Sequence, residues 1–131
     1  MIEYALKTAL VENATVNGYV VGRVFYNIAP QDVATPYIVF SRVSGPREYS
    51  HDGATGLYRA RFQFSAFAES YYEAKSIAVA IQGVLSGASG QLVADPNDTI
   101  GASFLDNELD LYEEDTKLHH IAVDYLVWVN E

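Results

Sequence analysis

His51 and Asp52 stand side by side in the stretch SGPREYSHDGATGLYRAR, residues 44–61, with Ser44, Ser50 and Thr55 close by. A base, an acid and a hydroxyl are the parts of a nucleophilic catalyst, in which the base takes the hydroxyl proton and a third group orients the base. Two features oppose that use. Adjacent side chains usually point apart, so His51 and Asp52 are not a dyad by adjacency. No nucleophile-elbow pattern surrounds the hydroxyls either. Glycine, serine and aspartate are also the ordinary residues of a solvated loop. The remaining candidates are thinner. On a strand, His119 and His120 would face opposite ways, and His120 with Asp124 makes two ligands, short of a zinc site. Asp95 opens DPND, which lacks the acidic ladder and terminal Glu of a calcium loop and reads as a proline turn. The sequence holds no GxGxxG and no phosphate loop. It predicts no catalytic residue, no metal and no cofactor.

Asp106, Glu108 and Asp110 alternate through a predicted strand, so they are expected to share one face. Neighbours in such a row are about 7 Å apart and repel by about 0.6 kcal/mol in water, which a solvated face tolerates. A functional use would be a negative surface that repels DNA in a channel or imitates DNA to a basic partner. The whole chain leans the same way. Its 17 Asp and Glu outnumber 8 Lys and Arg, a formal charge of −9 that opposes binding to a phosphate backbone. Ten tyrosines in 131 residues suit contact surfaces, because Tyr is large, rather rigid and half polar. There is no cysteine, hence no disulfide and no thiolate zinc site. No apolar run approaches the roughly 20 residues that span a bilayer, and the N-terminal residues lack a signal-peptide pattern. The expectation is a soluble protein of one domain, residues 1–131, with no membrane partner.

The elements that must position these residues follow from periodicity. Ile2, Leu6, Ala9 and Leu10 lie on one face of a helix predicted over Ile2–Glu12, with Asn17-Gly18 as its breaker. Strands are predicted over Gly22–Ile28, Tyr37–Val43 and Leu57–Phe67. In the last of these, Tyr58, Ala60, Phe62, Phe64 and Ala66 point one way, and Arg59, Arg61, Gln63 and Ser65 the other. Ser70 and Glu73 form a capping box for a helix whose stripe is Ala74, Ile77, Ala78, Ile81, Val84 and Leu85, with Gly87 placed for a C-terminal cap. Two strands close the chain, Phe104–Tyr112 and Leu118–Val129. In the first, Leu105, Leu109 and Leu111 oppose the acidic row; in the second, Ile121, Val123, Tyr125, Val127 and Val129 share a face.

The order is helix, three strands, helix, two strands. Short links favour antiparallel pairing, so the expectation is an α+β domain with one antiparallel or mixed sheet and two helices on one face. Residues 44–56 join the second and third strands. At about a dozen residues, they exceed the two to five of a common hairpin loop. Arg47, Glu48 and Tyr49 suit a contact surface, and the segment reads as a hairpin arm that reaches a neighbouring subunit. Arg42, Arg47, Arg59 and Arg61 are expected to pair with acidic groups there, with His51 and Asp52 in the same interface.

Gly22-Arg23-Val24, Ala29-Pro30-Gln31, Pro36-Tyr37-Ile38-Val39, Ser44-Gly45 and Gly56-Leu57 with Arg59 and Arg61 occur in one order, followed by SYYEAKSIA and DTKLHHIAVDYLVW with Asp124 and Trp128. Through these pieces nearly the whole chain resembles the tail completion family of long-tailed phages and gene transfer agents, also called tail-to-head joining or tail terminator proteins. The resemblance implies an α+β subunit of the virion. It would be made in the host cytoplasm and assembled, typically as a homohexameric ring, at the tail-head junction. The implied partners are other copies of itself, the tail tube protein and the head-tail connector of the neck, with DNA as passing cargo through the lumen. It implies no enzyme. Asp106, Glu108 and Asp110 would be candidates to line the hole. Two other classes stay open: an acidic DNA-mimicking inhibitor, and a small ligand-binding or enzymatic α+β domain using His51 and Asp52.

Overall fold

The computed structural model describes residues 2–44, 47–50, 53–86 and 99–130, with side chains described for 2–44, 59–86 and 103–129. Helix α1 (Ile2–Glu12) buries Ile2, Ala5, Leu6, Ala9 and Leu10, the stripe the periodicity predicts. The chain then does not stop at Asn17-Gly18. Asn13 caps a second helix, α2 (Ala14–Val20), its side chain accepting from the amides of Thr15 and Val16 at 3.1 and 3.0 Å. Asn17 and Gly18 sit inside α2, and the stop comes later. Val21 (φ 48°) and Gly22 (φ 77°) enter the left-handed region, and the Asn17 carbonyl accepts the Val21 amide at 2.8 Å. Three helices therefore replace the expected two.

Strand β1 (Val24–Tyr26) is shorter than the predicted Gly22–Ile28 because left-handed residues bound it, Gly22 before and Asn27 (φ 70°) after. It pairs in parallel with β2 (Tyr37–Ser44), so the sheet is mixed. The larger difference lies in the stretch 44–56. Arg47–Ser50 forms strand β3, and β4 starts at Gly53 and runs sixteen residues to Ala68. β3 pairs β4 through Arg47–Tyr58, Tyr49–Ala54 and Ser50–Gly53. The expected hairpin arm is thus, in its described residues, a β-ribbon whose second strand starts at Gly53 and not at the predicted Leu57. Ladder pairing outweighs the weak strand preference of Gly53 and Gly56. β2 and β3 lie end to end along the same side of β4.

Ser70 caps α3 (Tyr71–Leu85), its Oγ accepting from the Glu73 amide at 3.2 Å as the capping box predicts. At the other end Ser86 is the cap residue; Gly87, the predicted cap, lies outside the described residues. Strands β5 (Thr99–Glu113) and β6 (Leu118–Asn130) make a long antiparallel pair. The strand order is β1-β2-β4-β6-β5, with β3 beside β4. The fold is α+β.

One face of the sheet meets all three helices. Ala60, Phe62, Phe64, Ala66 and Ala68 of β4 and Ile121, Val123, Tyr125, Val127 and Val129 of β6 are buried there with Leu6, Leu10, Val16, Val20, Ile77 and Ile81. At its centre Phe40 stacks on Phe64 (5.2 Å, 10° between planes), and Phe64 meets Tyr125 edge-on at 5.9 Å. The Tyr125 hydroxyl is buried without a partner among the described residues. Burial, helped by the charge of Glu108, pushes its pKa up to about 12.

Three variants measure these contributions by urea unfolding followed by circular dichroism. Phe64→Ala is expected to cost about 3–5 kcal/mol through lost burial and a cavity. Ser70→Ala is expected to cost about 1 kcal/mol through the lost cap. Tyr125→Phe, which deletes an unpaired buried hydroxyl, is expected to leave stability unchanged or raise it by about 1 kcal/mol.

Candidate assembly surface: the open sheet face and the hairpin

Residues of alternate parity on the same strands point away from the helices. Among the described residues no helix covers that face. Near its middle, Arg61 of β4 bonds two carboxylates, Asp106 Oδ2 of β5 at 2.6 Å and Asp124 Oδ2 of β6 at 3.4 Å. The bond to Asp106 holds the guanidinium more firmly protonated than usual; desolvation opposes it, and the nearby charges of both acids add to it. Asp124 Oδ1 is buried without a partner among the described residues.

Asp106 reaches Arg61 because it is the extra residue of a β-bulge. Leu105 opposes Tyr125 and Asn107 opposes Asp124, consecutive positions on β6, so Asp106 has no opposite number. One extra residue inverts the alternation beyond it. Glu108 then opposes Val123 and Asp110 opposes Ile121, both buried on the helix face. Lys75 of α3 bonds Glu108, and the Tyr71 hydroxyl donates to Asp110 at 3.1 Å. These bonds hold the Lys75 ammonium and the Tyr71 phenol to their protons more strongly than usual. The predicted single acidic row is therefore divided: Asp106 lies on the open face, Glu108 and Asp110 on the helix side. By the same inversion Leu109 and Leu111 leave the face of Leu105 and turn outward, against Ala122 and His120. They are 45% and 47% exposed, and Phe104 on the same strand is 55% exposed, which makes β5 a sticky strand as well as an acidic one.

The opposite corner of this face is an aromatic stack across three strands. Tyr37 stacks on Phe67 at 4.9 Å, and Phe67 on His120 at 4.2 Å. His119 points the other way, toward Tyr112 and Tyr71, so the two histidines are divided between faces as predicted. His120 Nε2 is buried without a partner among the described residues. Burial lowers its pKa, and the charge of Glu113 opposes that only in part.

The predicted arm residues fall into three groups. Arg42 lies on the helix face, bonded to Glu3 Oε1 at 2.8 Å and 5.4 Å from the centre of the Phe62 ring; it ties β2 to α1. Arg61 is engaged with Asp106 and Asp124, and Arg59 lies 5.7 Å over the Trp128 ring. Both Arg42 and Arg61 thus have partners within the chain. Arg47, Glu48 and Tyr49 form β3, with side chains outside the described residues, and His51 and Asp52 lie outside them altogether. Among the described residues no group of three or more His, Asp or Glu could hold a metal ion. None of their helices is long and apolar enough to cross a membrane.

Sequence reasoning did not foresee a groove of about 660 Å³ between α2 and α3, lined by Tyr19, Tyr71, Tyr72, Lys75 and Val79. Its signal was the pair Tyr71-Tyr72 just after the helix cap. Both flank the buried stripe, so they face outward.

The chain matches the family model described as Tail completion protein gp17 over residues 4–130. Among solved structures it is similar to a chain of the virion of a native gene transfer agent particle, with a TM-score of 0.80 and 19% identity. The match covers 99% of this chain and 95% of that one. At that identity the likeness is one of fold. No curated protein matches.

The stacked His120 gives the surface a pH signature. In the unfolded chain it takes up a proton near pH 6.5, whereas the folded form does so only at lower pH. Between these values the unfolded state binds more protons, so stability is present above pH 6.5 and falls as the pH drops. Unfolding of the protein and of His120→Phe, compared between pH 7.5 and 5, is expected to show a shallower loss for the variant.

Proposed function

The chain belongs to the Tail completion protein gp17 family, and on that premise we propose that it is the ring-forming subunit that ends a phage or gene transfer agent tail tube and joins it to the head. The observation that carries this reading is the match over residues 4–130, nearly the whole domain. The fold shared with a chain from a gene transfer agent virion supports it. So does the division of the sheet into a face buried under three helices and a face that, among the described residues, no helix covers.

In this reading the protein works by shape and charge and makes no bond. Six copies form the ring, docking on the tail tube at one end and on the connector of the neck at the other. A hexamer would carry six times the formal −9 of each chain. DNA passing through its hole would meet few of the cationic contacts that release counterions and hold phosphates. Asp106, Glu108 and Asp110 belong to both faces of one strand, so it is the acidic β5 as a whole that is proposed to face the passage. The ribbon of β3 and the start of β4, with Arg47, Glu48, Tyr49, His51, Asp52 and Arg59, is proposed to clasp the neighbouring subunit. The site of action is the tail-head junction of the virion, after synthesis in the host cytoplasm.

Size-exclusion chromatography with light scattering and negative-stain microscopy test this directly. The purified chain, alone or with tail tubes, is expected to give rings of tube diameter at the tube end. Deleting Tyr49–Thr55, which removes the Tyr49–Ala54 and Ser50–Gly53 pairs, is expected to leave a folded monomer. A hexamer that survives the deletion would rule out the clasp. Particles that stay monomeric and ignore tubes would rule out the ring.

A further inference from the structure

β5 is the last strand of the sheet, and among the described residues nothing pairs its outer edge. An unpaired edge is a row of amides and carbonyls that can accept another strand. This one is 15 residues long, whereas a common strand has about 5–6. Single edges are protected by proline, lysine, inward charges or bulges. Thr99–Glu113 has no proline or lysine, its bulges lie at Gly101 and Asp106, and its inward Glu108 and Asp110 are bonded by Lys75 and Tyr71. Beyond the bulge its register runs unbroken from Asn107 to Glu113, through the exposed Leu109 and Leu111.

A second free edge lies on the far side of the sheet. β1 covers β2 only at Ile38–Phe40. From Ser41 to Ser44 and along β3, the pairs that form are all with β4, and Val43 and Glu48 fall at register shifts with no opposite residue. The two edges differ in charge. β5 carries Asp106, Glu108, Asp110 and Glu113 and no cation. Arg61 and Lys75 offset part of that charge from neighbouring elements. The other edge carries Arg47 against Glu48, with Arg59 on the strand behind it; Arg42 and Arg61 there already bond Glu3, Asp106 and Asp124 of the same chain. Two different open edges on one chain, one acidic and one near neutral, make a head-to-tail contact, the kind that closes into a ring.

We infer that the outer edge of β5 in one copy takes up the free β2–β3 edge of the next copy by strand addition, so that the sheet continues across the subunit boundary. This rests on the ring reading and names the contact that builds it. Backbone hydrogen bonds supply the register-tolerant attraction, and the like charges along β5 disfavour β5 meeting β5.

The chain has no cysteine, so introduced ones report cleanly. Val43→Cys on the β2 edge is mixed in turn with Phe104→Cys, Leu109→Cys and Leu111→Cys, and oxidised under assembly conditions. The expected result is a disulfide dimer between the two different variants in at least one mixture. Cross-links only between copies of the same variant, or none in any mixture, overturn the inference. Independently, Leu109→Lys with Leu111→Lys is expected to abolish rings while its circular dichroism and urea midpoint stay near those of the parent. Rings that persist in that double variant overturn the edge contact and leave the ring reading standing. A parent protein that forms no ring with or without tubes overturns both.

Discussion

The ladder between β4 and β6 is the constraint on which the rest of this molecule depends. Twelve residue pairs, from Leu57–Asn130 to Ala68–His119, keep register without interruption. From Ala60 to Ala68 and from Ile121 to Val129 every second residue is buried under the helices, and the alternate ones face away. A slip of one residue would move Phe62, Phe64 and Tyr125 to the open side and bring Arg61, Gln63 and Asp124 into the core. The cost of burying those charges unpaired fixes the pairing as firmly as the gain from burying the aromatics. Because this ladder is rigidly specified, the strands on either side can depart from regularity without loss of the fold.

β5 uses that freedom. Its bulge at Asp106 leaves Ser103 and Leu105 facing the core but turns Leu109 and Leu111 outward and Glu108 and Asp110 toward α3. The inverted carboxylates are not left bare: Lys75 and Tyr71, one helical turn apart on α3, meet them. The same inversion lets Asp106 join Arg61 and Asp124 on the open face. The extra residue at Asp106, the second of two register shifts in β5, thus converts a strand that would have had one oily and one acidic face into one that is mixed on both. Such an edge is better suited to a specific neighbour than to nonspecific sticking.

Surface, more than pocket, fits a tail completion subunit. The role proposed above, seating on a tube end around passing DNA, calls for flat, self-complementary areas and a charge that rejects phosphates. The one-sided core supplies the first, since among the described residues the helices lie on a single face of the sheet. The composition supplies the second. The tyrosine-lined groove between α2 and α3 adds a further area where half-polar rings meet solvent.

What the sequence determined by itself was whatever period and local capping encode. α1, the Ser70 cap and stripe of α3, and the inward faces of β4 and β6 follow from spacings of 3.6 and 2 and from one side-chain hydrogen bond. The net charge, and the order of motifs that matches the family, were equally legible. Tertiary structure alone decided the rest. Asn17-Gly18 has turn chemistry, yet the Asn13 cap and the burial of Val16 and Val20 keep it helical. Residues 47–50 and 53–56 have poor strand propensity, yet each becomes strand by pairing with the other. No pattern in β5 announces where its extra residue falls. That position is set by the partner strand, because a bulge is a property of a pair and one strand's sequence carries only half of it.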